Sequence, residues 1–393
     1  MLGQSFFNLL TYNARASVGY ARLRLSDDPT PPVSPTDVQT DTARLDLWQE
    51  LSLPFYLGNL KVVPYGLVDL AYYSRDLQDQ STGRVYGGGG VRSSLPLSRL
   101  YPEVQSLLWN LNGLNHKIVL ASNWYMAGAS ESFRNFPQLD RLNDDVTDQA
   151  LRDLRPLLPA LNPKAGAVLA ASPLYDPQTY AIRRLIENRI ETVDDMQVIQ
   201  AEIRQRLQTK RGFPGNQHIV DWMTLDLSCS FFPAGNRDNF GESWAFLEYN
   251  YLWNIGDRTA LTSSGWFDPF DNGARMFTVG AFLDRPDRTN FYIGYRQIDP
   301  LESRAVTASA SYVFSPKYAI TAASTYDFGT SQSLSNSLIL TRIGPDFQVS
   351  FGVTYNALQN NFGVVFQIFP NLVPIHRRGS AIGMLGSAPV GAR

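Results

Sequence analysis

The fold is decided by the stretch Phe347-Gln348-Val349-Ser350-Phe351-Gly352-Val353-Thr354-Tyr355, in which large apolar residues alternate with small or polar ones. Successive side chains of a β-strand point to opposite faces of the sheet, so this two-residue period predicts a strand with one apolar face. The same alternation recurs upstream over 223–231, 247–253 and 306–314. The second half of the chain is therefore predicted to be a series of amphipathic strands.

Tight turns alternate with slightly longer connections in this half, as in consecutive hairpins. The tight turns lie at 256–257, 285–287, 315–317 and 344–346, and the longer connections lie at 268–273, 299–302, 329–333 and 358–361. One rim of the sheet is therefore expected to carry the shorter turns, as the periplasmic rim of an outer-membrane barrel does.

The pattern predicts about eleven strands between Met196 and Phe369. Residues 196–208 fit both a helix and a strand, and we favour the strand. Six further strands are predicted near 14–25, 43–53, 60–74, 84–96, 102–111 and 116–127. Bacterial single-chain barrels have even strand numbers, so we expect 16–18 strands and consider 1–12 and 164–180 as places for a missed one.

Composition excludes several classes of protein. Of the 393 residues only 18% are charged, Lys+Arg total 34 and Asp+Glu total 36, which leaves no basic surface for nucleic acid. No apolar run approaches the roughly 18 residues of a transmembrane helix. The single cysteine, Cys229, excludes an intramolecular disulfide, and three dispersed histidines give no basis for a metal site or cofactor.

A soluble β-sandwich would also alternate, but two features favour a transmembrane barrel. Aromatic residues stand at the strand ends, as Phe314 and Tyr318 do at one end of a hairpin and Tyr326 and Phe328 at the other, which is typical of the aromatic girdles of a membrane barrel. The chain has only five lysines against 29 arginines, unlike an ordinary solvated surface. We therefore predict an all-β, antiparallel outer-membrane β-barrel over 1–370.

Three segments are predicted to lie outside the strand series. Residues 26–42 are rich in Pro, Thr and Asp and are predicted to form a loop. Residues 129–194 contain helix-like spacing at 148–158 and 177–189, which predicts a partly helical extracellular insertion acting as a lid or plug. Residues 371–393 are predicted to be a disordered tail.

Sites for catalysis or ligand binding are weakly supported by the sequence. His218 and Asp221 are three residues apart, so on a strand they face opposite ways, and no G-x-S-x-G motif occurs. The glycine run 87–90 lacks the Lys-Ser/Thr of a phosphate loop, and Asp268, Asp271 and Asn272 do not have EF-hand spacing. We predict no enzyme, no catalytic residue and no metal site.

Several short motifs resemble the barrel of the LPS-assembly protein LptD, the organic-solvent-tolerance family, and in particular its divergent planctomycete-type members. The resemblance covers about residues 40–370. Its motifs are Arg204–Lys210, Asp221–Asp226, Phe232-Pro233, Arg237–Gly241 and Thr341–Gly344, with Arg44–Asp46, Pro54–Gly58, Val63-Pro64 and Asn112–His116 upstream.

The resemblance implies a non-enzymatic translocon that inserts lipopolysaccharide or a related glycolipid into the outer leaflet of the outer membrane. It also implies an LptE-like plug lipoprotein and an LptA-like periplasmic bridge as partners. The chain departs from the family in its smaller strand number, in its lack of a recognisable jellyroll and in having one cysteine. A general porin is the alternative function, and a barrel hydrolase is a third hypothesis.

The polar face of the predicted strands supplies the candidate residues for substrate contact in the lumen. These are Glu202, Arg204, Arg206, Asp226, Glu248 and Asn250. An exported protein needs a signal peptide, whereas Met1–Leu10 has no positively charged n-region. We therefore expect the chain to be a fragment of a longer exported precursor.

Overall fold

The computed structural model describes residues 2–6, 9–23, 39–137, 139, 193–213, 215–238, 243–245, 247–268, 273–285, 288–298, 303–329, 331–357 and 360–370. The helices predicted at 148–158 and 177–189, the possible strand at 164–180, most of the loop predicted at 26–42 and the tail 371–393 lie outside these residues. In the described part of the chain, no helix has both the length and the apolar character needed to cross a membrane.

Eighteen strands in one antiparallel sheet make up nearly all of the described chain. They are β1 (Leu2–Phe6), β2 (Leu10–Leu23), β3 (Thr40–Ser52), β4 (Phe55–Leu57), β5 (Leu60–Tyr73), β6 (Thr82–Ser106), β7 (Leu111–Ala129), β8 (Met196–Arg211), β9 (His218–Phe231), β10 (Leu247–Asn254), β11 (Thr259–Asp268), β12 (Gly273–Arg285), β13 (Thr289–Ile298), β14 (Ser303–Ser315), β15 (Tyr318–Asp327), β16 (Gln332–Ile343), β17 (Phe347–Asn356) and β18 (Asn361–Pro370). A 3₁₀ turn (Phe133–Asn135) and a short helix α1 (Gly235–Asp238) are the described helical elements.

The eleven strands predicted from Met196 onward are confirmed as β8–β18, and the choice of strand over helix for 196–208 is confirmed by β8. The strand missing from the first half is β1, within the segment 1–12. The three-residue β4 was not predicted. Because a twisted sheet of more than about ten strands curls on itself, the fold class is the predicted antiparallel β-barrel.

One prediction is wrong: the separate strands at 84–96 and 102–111 are a single 25-residue strand, β6. Pro96 and Pro102 suggested a break because proline cannot donate to a ladder. The backbone N–H and C=O of Val85 both hydrogen-bond to Ser130, which follows β7 in the chain. Odd-numbered residues of β6 therefore direct their backbone groups toward β7, and even-numbered residues direct theirs toward β5. Since β5 starts at Leu60 and its Lys61 is already opposite Ser94, both prolines lie beyond the β5 ladder and no bond is lost.

The strands divide into two compact units. The first comprises Met1–Leu97, Ile118–Arg204 and Leu227–Leu247. Within it β2 pairs with β1 and β3, and β5 pairs with β3, β4 and β6. Its larger buried apolar cluster includes Tyr65, Tyr86, Tyr125 and Val198 on β5–β8 and Phe232 just after β9.

The glycine run of β6 lies in this first unit and has a packing role. A Cβ on Gly88 would come within 2.6 Å of the Cβ of Ala127 on β7, and one on Gly90 would overlap the backbone carbonyl of Trp124. Glycine at these positions therefore permits a close approach of β6 to β7 that side chains would prevent.

The second unit comprises Ser98–Lys117, Gln205–Asp226 and Glu248–Arg393. Within it β11–β18 form a meander in which each strand pairs antiparallel with the next. Every predicted tight turn and longer connection falls at a junction between consecutive strands from β10 to β18. The turn chemistry of the sequence thus placed the strand ends correctly in this half.

The outer face of the strands is apolar and exposed. On β18 the alternating residues Phe362, Val364, Phe366 and Ile368 are all more than half exposed, with Val364 at 62%. The same exposed alternation continues on other strands in both units. It includes Val18 and Tyr20 on β2, Leu45, Leu47 and Leu51 on β3, Val68, Leu70 and Tyr72 on β5, Trp124 and Met126 on β7, Phe291 and Ile293 on β13, Leu338 and Leu340 on β16, and Phe347, Phe351 and Tyr355 on β17.

Candidate functional site on the inner wall

The polar face of the strands, which we call the inner wall, carries arginines and carboxylates in contact. On β3, Asp46, Trp48 and Glu50 alternate with the exposed Leu45, Leu47 and Leu51, so the three side chains share the inner wall. The four-residue spacing of Asp46 and Glu50 therefore places two carboxylates along one strand of this face.

One part of this wall is a chain of polar contacts that runs from Glu50 on β3 to Gln200 on β8. Arg92 donates from both terminal nitrogens to Glu50, at 2.8 and 2.9 Å, and its guanidinium lies 3.7 Å from the centre of the Tyr65 ring. The Tyr65 hydroxyl donates to Asn123 at 2.9 Å, and the Asn123 amide donates to Gln200 at 2.8 Å. The Arg92 side chain is 45% exposed, so this chain of contacts is accessible from the inside.

A second part of the wall, on β3, β5 and β6, is buried. Asp46 on β3 and Arg84 on β6 both stand opposite Ala71 of β5, two residues from Asp69, and all three charged side chains are buried. The Arg84 guanidinium lies 4.9 Å from the centre of the Phe136 ring, which also packs on Tyr73 at 4.6 Å. Phe136 thus covers a charged cluster that is nearly inaccessible to solvent.

The cover is formed by residues 130–136, which follow β7 along the chain. Ser130 and Val85 are joined by two hydrogen bonds, and the Leu77 N–H donates to the Asn135 carbonyl. Asp194 accepts hydrogen bonds from the Ser132 hydroxyl and the Phe133 N–H. The described ends of the predicted 129–194 insertion are therefore fixed to the wall.

The connection between β5 and β6 contains a well-bonded carboxylate outside the strands. Asp76 is buried, which works against its charged form, but it accepts hydrogen bonds from the Thr82 hydroxyl and the N–H groups of Gln78 and Gln80. These donors hold the pKa of Asp76 below its ordinary value. Asp76 is therefore an ionised anchor of the loop on which Asn135 rests.

The six predicted site residues lie in three places, namely two ion-paired groups and strand β10. In the first unit, Arg204 donates two hydrogen bonds to Glu202, at 2.5 and 2.6 Å. In the second unit, Arg206 lies 3.4 Å from Asp226 and 3.8 Å from Asp221. Glu248 and Asn250 lie on β10, where the even-numbered residues alternate with Leu247, Tyr249 and Tyr251.

Sequence reasoning missed the cluster on β3, β5 and β6. The available signal was the alternation itself, since Asp46, Glu50 and Asp69 stand at polar positions between exposed apolar residues. Arg84 and Arg92 share one parity of β6, so they lie on the same face. Only the register of β5 against β3, with Asp69 opposite Trp48, brings the acids together.

The described residues give no support to catalysis or metal binding. His116 contacts the Gln205 amide at 3.3 Å, and His218 is an exposed residue at the start of β9. No group of three or more His, Cys, Asp or Glu side chains in the described chain is arranged to hold a metal ion. The loop considered as a possible calcium site includes Asp271 and Asn272, which lie outside the described residues.

An antiparallel barrel with an apolar outer face and a polar inner wall is a transmembrane β-barrel, and such barrels are proteins of the outer membrane. The chain thus belongs to this class and to this location. No family model matches the chain, and no curated protein matches it.

Solved structures similar to this chain include three outer-membrane proteins. A triple mutant of the Rhodopseudomonas blastica porin aligns at 11% identity with a TM-score of 0.37, covering 92% of this chain and 100% of the porin. The FrpB iron transporter from Neisseria meningitidis aligns at 8% identity and TM-score 0.35, covering 92% of this chain and 60% of its own. The ferric citrate transporter FecA aligns at 10% identity and TM-score 0.32, covering 90% and 56%. The fold class rests on the strands and faces of this chain itself.

Proposed function

We propose that the protein is a non-enzymatic outer-membrane channel that passes polar or charged molecules along its inner wall. One observation carries the proposal: the outer face is apolar and exposed, whereas the inner wall carries accessible arginines, each in contact with a carboxylate. Paired charges of both signs interact with polar solutes while keeping the net charge of the wall low.

Ion conductance tests this function. The purified chain, inserted in planar bilayers, is expected to conduct steadily with weak ion selectivity, because the wall arginines are paired. Glu50→Gln leaves the half-exposed Arg92 without its carboxylate and should shift selectivity toward anions. The exposed Arg99→Gln on β6 serves as the matched control and should leave selectivity unchanged. Conductance no greater than that of protein-free bilayers would contradict the channel.

A second proposed function is insertion of lipopolysaccharide or a related glycolipid, as the resemblance to the LptD family implies. Within the first unit, the accessible Arg92 and Arg204 fit the phosphate groups of such a molecule, and the Asn123 and Gln200 amides fit its sugar hydroxyls. An LptE-like lipoprotein and an LptA-like bridge are the partners proposed with it.

Crosslinking separates the two proposed functions. A photoreactive residue at Arg206 or Asp226 is expected to capture lipopolysaccharide in intact cells if the glycolipid passes the inner wall. The control position is Val364 on the outer face, where lipids of the surrounding membrane are contacted in any case. Capture at 364 but not at 206 or 226, together with steady conductance and no co-purifying lipoprotein, would favour the porin over the translocon.

A further inference from the structure

The chain of contacts from Glu50 to Gln200 on the inner wall has a definite hydrogen-bonding direction. Tyr65 is buried, and Arg92, which lies against its ring, contains no acceptor. The Tyr65 hydroxyl proton therefore goes to the Asn123 carbonyl oxygen, at 2.9 Å. The Asn123 nitrogen then faces Gln200 and donates to the Gln200 carbonyl oxygen at 2.8 Å. This order leaves the amide nitrogen of Gln200 at the end of the chain.

The groups left unfilled along this chain of contacts are donors. Both N–H groups of the Gln200 amide, and the second N–H of the Asn123 amide, have no acceptor among the described residues. An arginine has five N–H groups, and Arg92 gives two of them to Glu50. The Glu50 side chain is only 6% exposed, so its oxygens are out of reach, whereas that of Arg92 is accessible. The accessible groups therefore fit a ligand that supplies acceptor oxygens.

A packed base holds the two amides in place. Tyr65 stacks on Tyr125, with the ring centres 6.2 Å apart, and Tyr125 lies two residues from Asn123 on the same face of β7. Likewise, the fully buried Val198 lies two residues from Gln200 on the same face of β8. Because both amides extend from strand positions fixed by buried neighbours, little conformational freedom is lost when they bind a ligand.

The donors form two groups that are separated by the phenol of Tyr65. Arg92 lies over the ring, whereas Asn123 and Gln200 lie beyond its hydroxyl. A guanidinium pairs best with the oxygens of a carboxylate or phosphate, and amide N–H groups also bind neutral oxygens. A ligand that reaches both groups therefore carries an oxyanion and, at a distance comparable to a sugar ring, neutral acceptor oxygens.

We propose that Arg92, Asn123 and Gln200 form a binding site for an acidic sugar, that is, a sugar acid or sugar phosphate. The oxyanion contacts the accessible N–H groups of Arg92, and the hydroxyl or ring oxygens accept hydrogen bonds from the two amides. Because Glu50 balances the charge of Arg92, the site recognises its ligand through directed hydrogen bonds and needs no net positive charge. The inference rests on the proposed channel function for the path of the ligand, whereas binding itself needs no conduction.

Saturation-transfer-difference NMR tests the site without relying on transport. The full chain is held in detergent, glucuronate is the probe and glucose is the matched ligand without a charge. At equal concentration the glucuronate signal should exceed the glucose signal at least about threefold, because a charge-assisted hydrogen bond is stronger than a neutral one. Equal signals would overturn the proposal.

Addition of purified lipopolysaccharide identifies the source of the acidic sugar. A glucuronate signal that falls shows that the sugars of a glycolipid headgroup occupy the same site, and an unchanged signal assigns the site to a free solute. Both results support a site for acidic sugars.

Substitutions of Gln200 locate the binding. In Gln200→Glu the carboxylate still accepts from Asn123 but both N–H groups are lost, so the glucuronate signal should fall at least about threefold. Gln200→Lys puts a charged donor at the same place and should raise the signal. Gln78→Glu makes the same change on the exposed β5–β6 connection and should leave it unchanged. Circular dichroism checks that each variant is folded.

The results separate the site from the channel. An unchanged glucuronate signal in Gln200→Glu and Gln200→Lys would overturn the site. Steady conductance without glucuronate binding would overturn the site alone, and glucuronate binding without conductance would overturn the channel alone.

Discussion

At the scale of single residues, the inner wall keeps its charges inside the barrel by pairing them. Glu50 is only 5% exposed, and burial of an unpaired carboxylate costs far more than a surface ion pair returns. Its two hydrogen bonds from Arg92, whose guanidinium also packs on Tyr65, therefore offset the cost of burying this side chain.

Removing the arginine should expose this dependence. Arg92→Ala is expected to lower the free energy of unfolding by about 1 to 3 kcal/mol, the cost of a buried acceptor left without its donor. Urea unfolding in detergent measures the change. Arg99→Ala, which removes an exposed guanidinium 5.0 Å from the partly buried Tyr101 ring, is the control and should cost less than about 0.5 kcal/mol. Equal losses would argue against the role given to Glu50.

The loop carboxylate Asp76 predicts a pH effect of definite sign. Its folded pKa is lowered from 3.8, so its contribution to stability is fully present above that value and is lost as pH falls through the folded pKa. Thermal unfolding followed by circular dichroism should therefore show a loss of stability on acidification below about pH 4 that is smaller in Asp76→Asn. An unchanged acid profile in that variant would contradict the anchoring role.

At the scale of elements, the long strand β6 depends on residues that look like strand breakers. Gly88 and Gly90 permit the close approach to β7, and Pro96 and Pro102 fall where no β5 ladder remains. The sequence predicted the regular strands of the second half because alternation and turn chemistry agree there. The prediction failed at β6 because glycine and proline indicate a local break in a strand, whereas their actual effect depends on the neighbouring strand.

Gly90→Ala tests this close approach. The added methyl group meets the backbone carbonyl of Trp124, which cannot turn away as a side chain does, so a loss of about 2 to 3 kcal/mol is expected. Gly19→Ala on β2 is the matched control, because a Cβ there meets nothing within 4 Å. Urea unfolding and the heat-modifiable gel shift of the folded barrel measure both variants. Similar behaviour of the two would refute the packing role.

At the scale of the whole molecule, two faces of opposite character follow from a two-residue alternation that any reader of the sequence can see. The candidate site is another matter. Glu202 and Arg204 lie on one strand and were predictable by parity alone, whereas the placement of Asp46 near Asp69 depends on strand register and the Phe136 cover depends on a connection folding back. Neither register nor connection path is encoded in the local pattern.

Adjacent residues of β18 test the assignment of the faces. Val364→Arg places a charge on the lipid-facing side and should cost about 2 to 4 kcal/mol if that position is near the bilayer midplane. Val365→Arg places the same charge one residue on, on the inner wall opposite Gly352, and should be tolerated. Folding yield into lipid vesicles and urea unfolding compare them. The reverse order of cost would invert the assigned faces.

The prolines of β6 also matter for the part of that strand that has no β5 partner. Beyond Ser94 this strand continues without a β5 partner, and an exposed strand edge is a template on which other chains polymerise. Even-numbered residues of β6 direct their backbone groups toward this unpaired edge, and Pro96 and Pro102 are even-numbered residues without an N–H group. Each proline therefore interrupts the row of N–H donors that an added strand would use. The same two residues therefore make this unpaired part of β6 a poor template for a further strand.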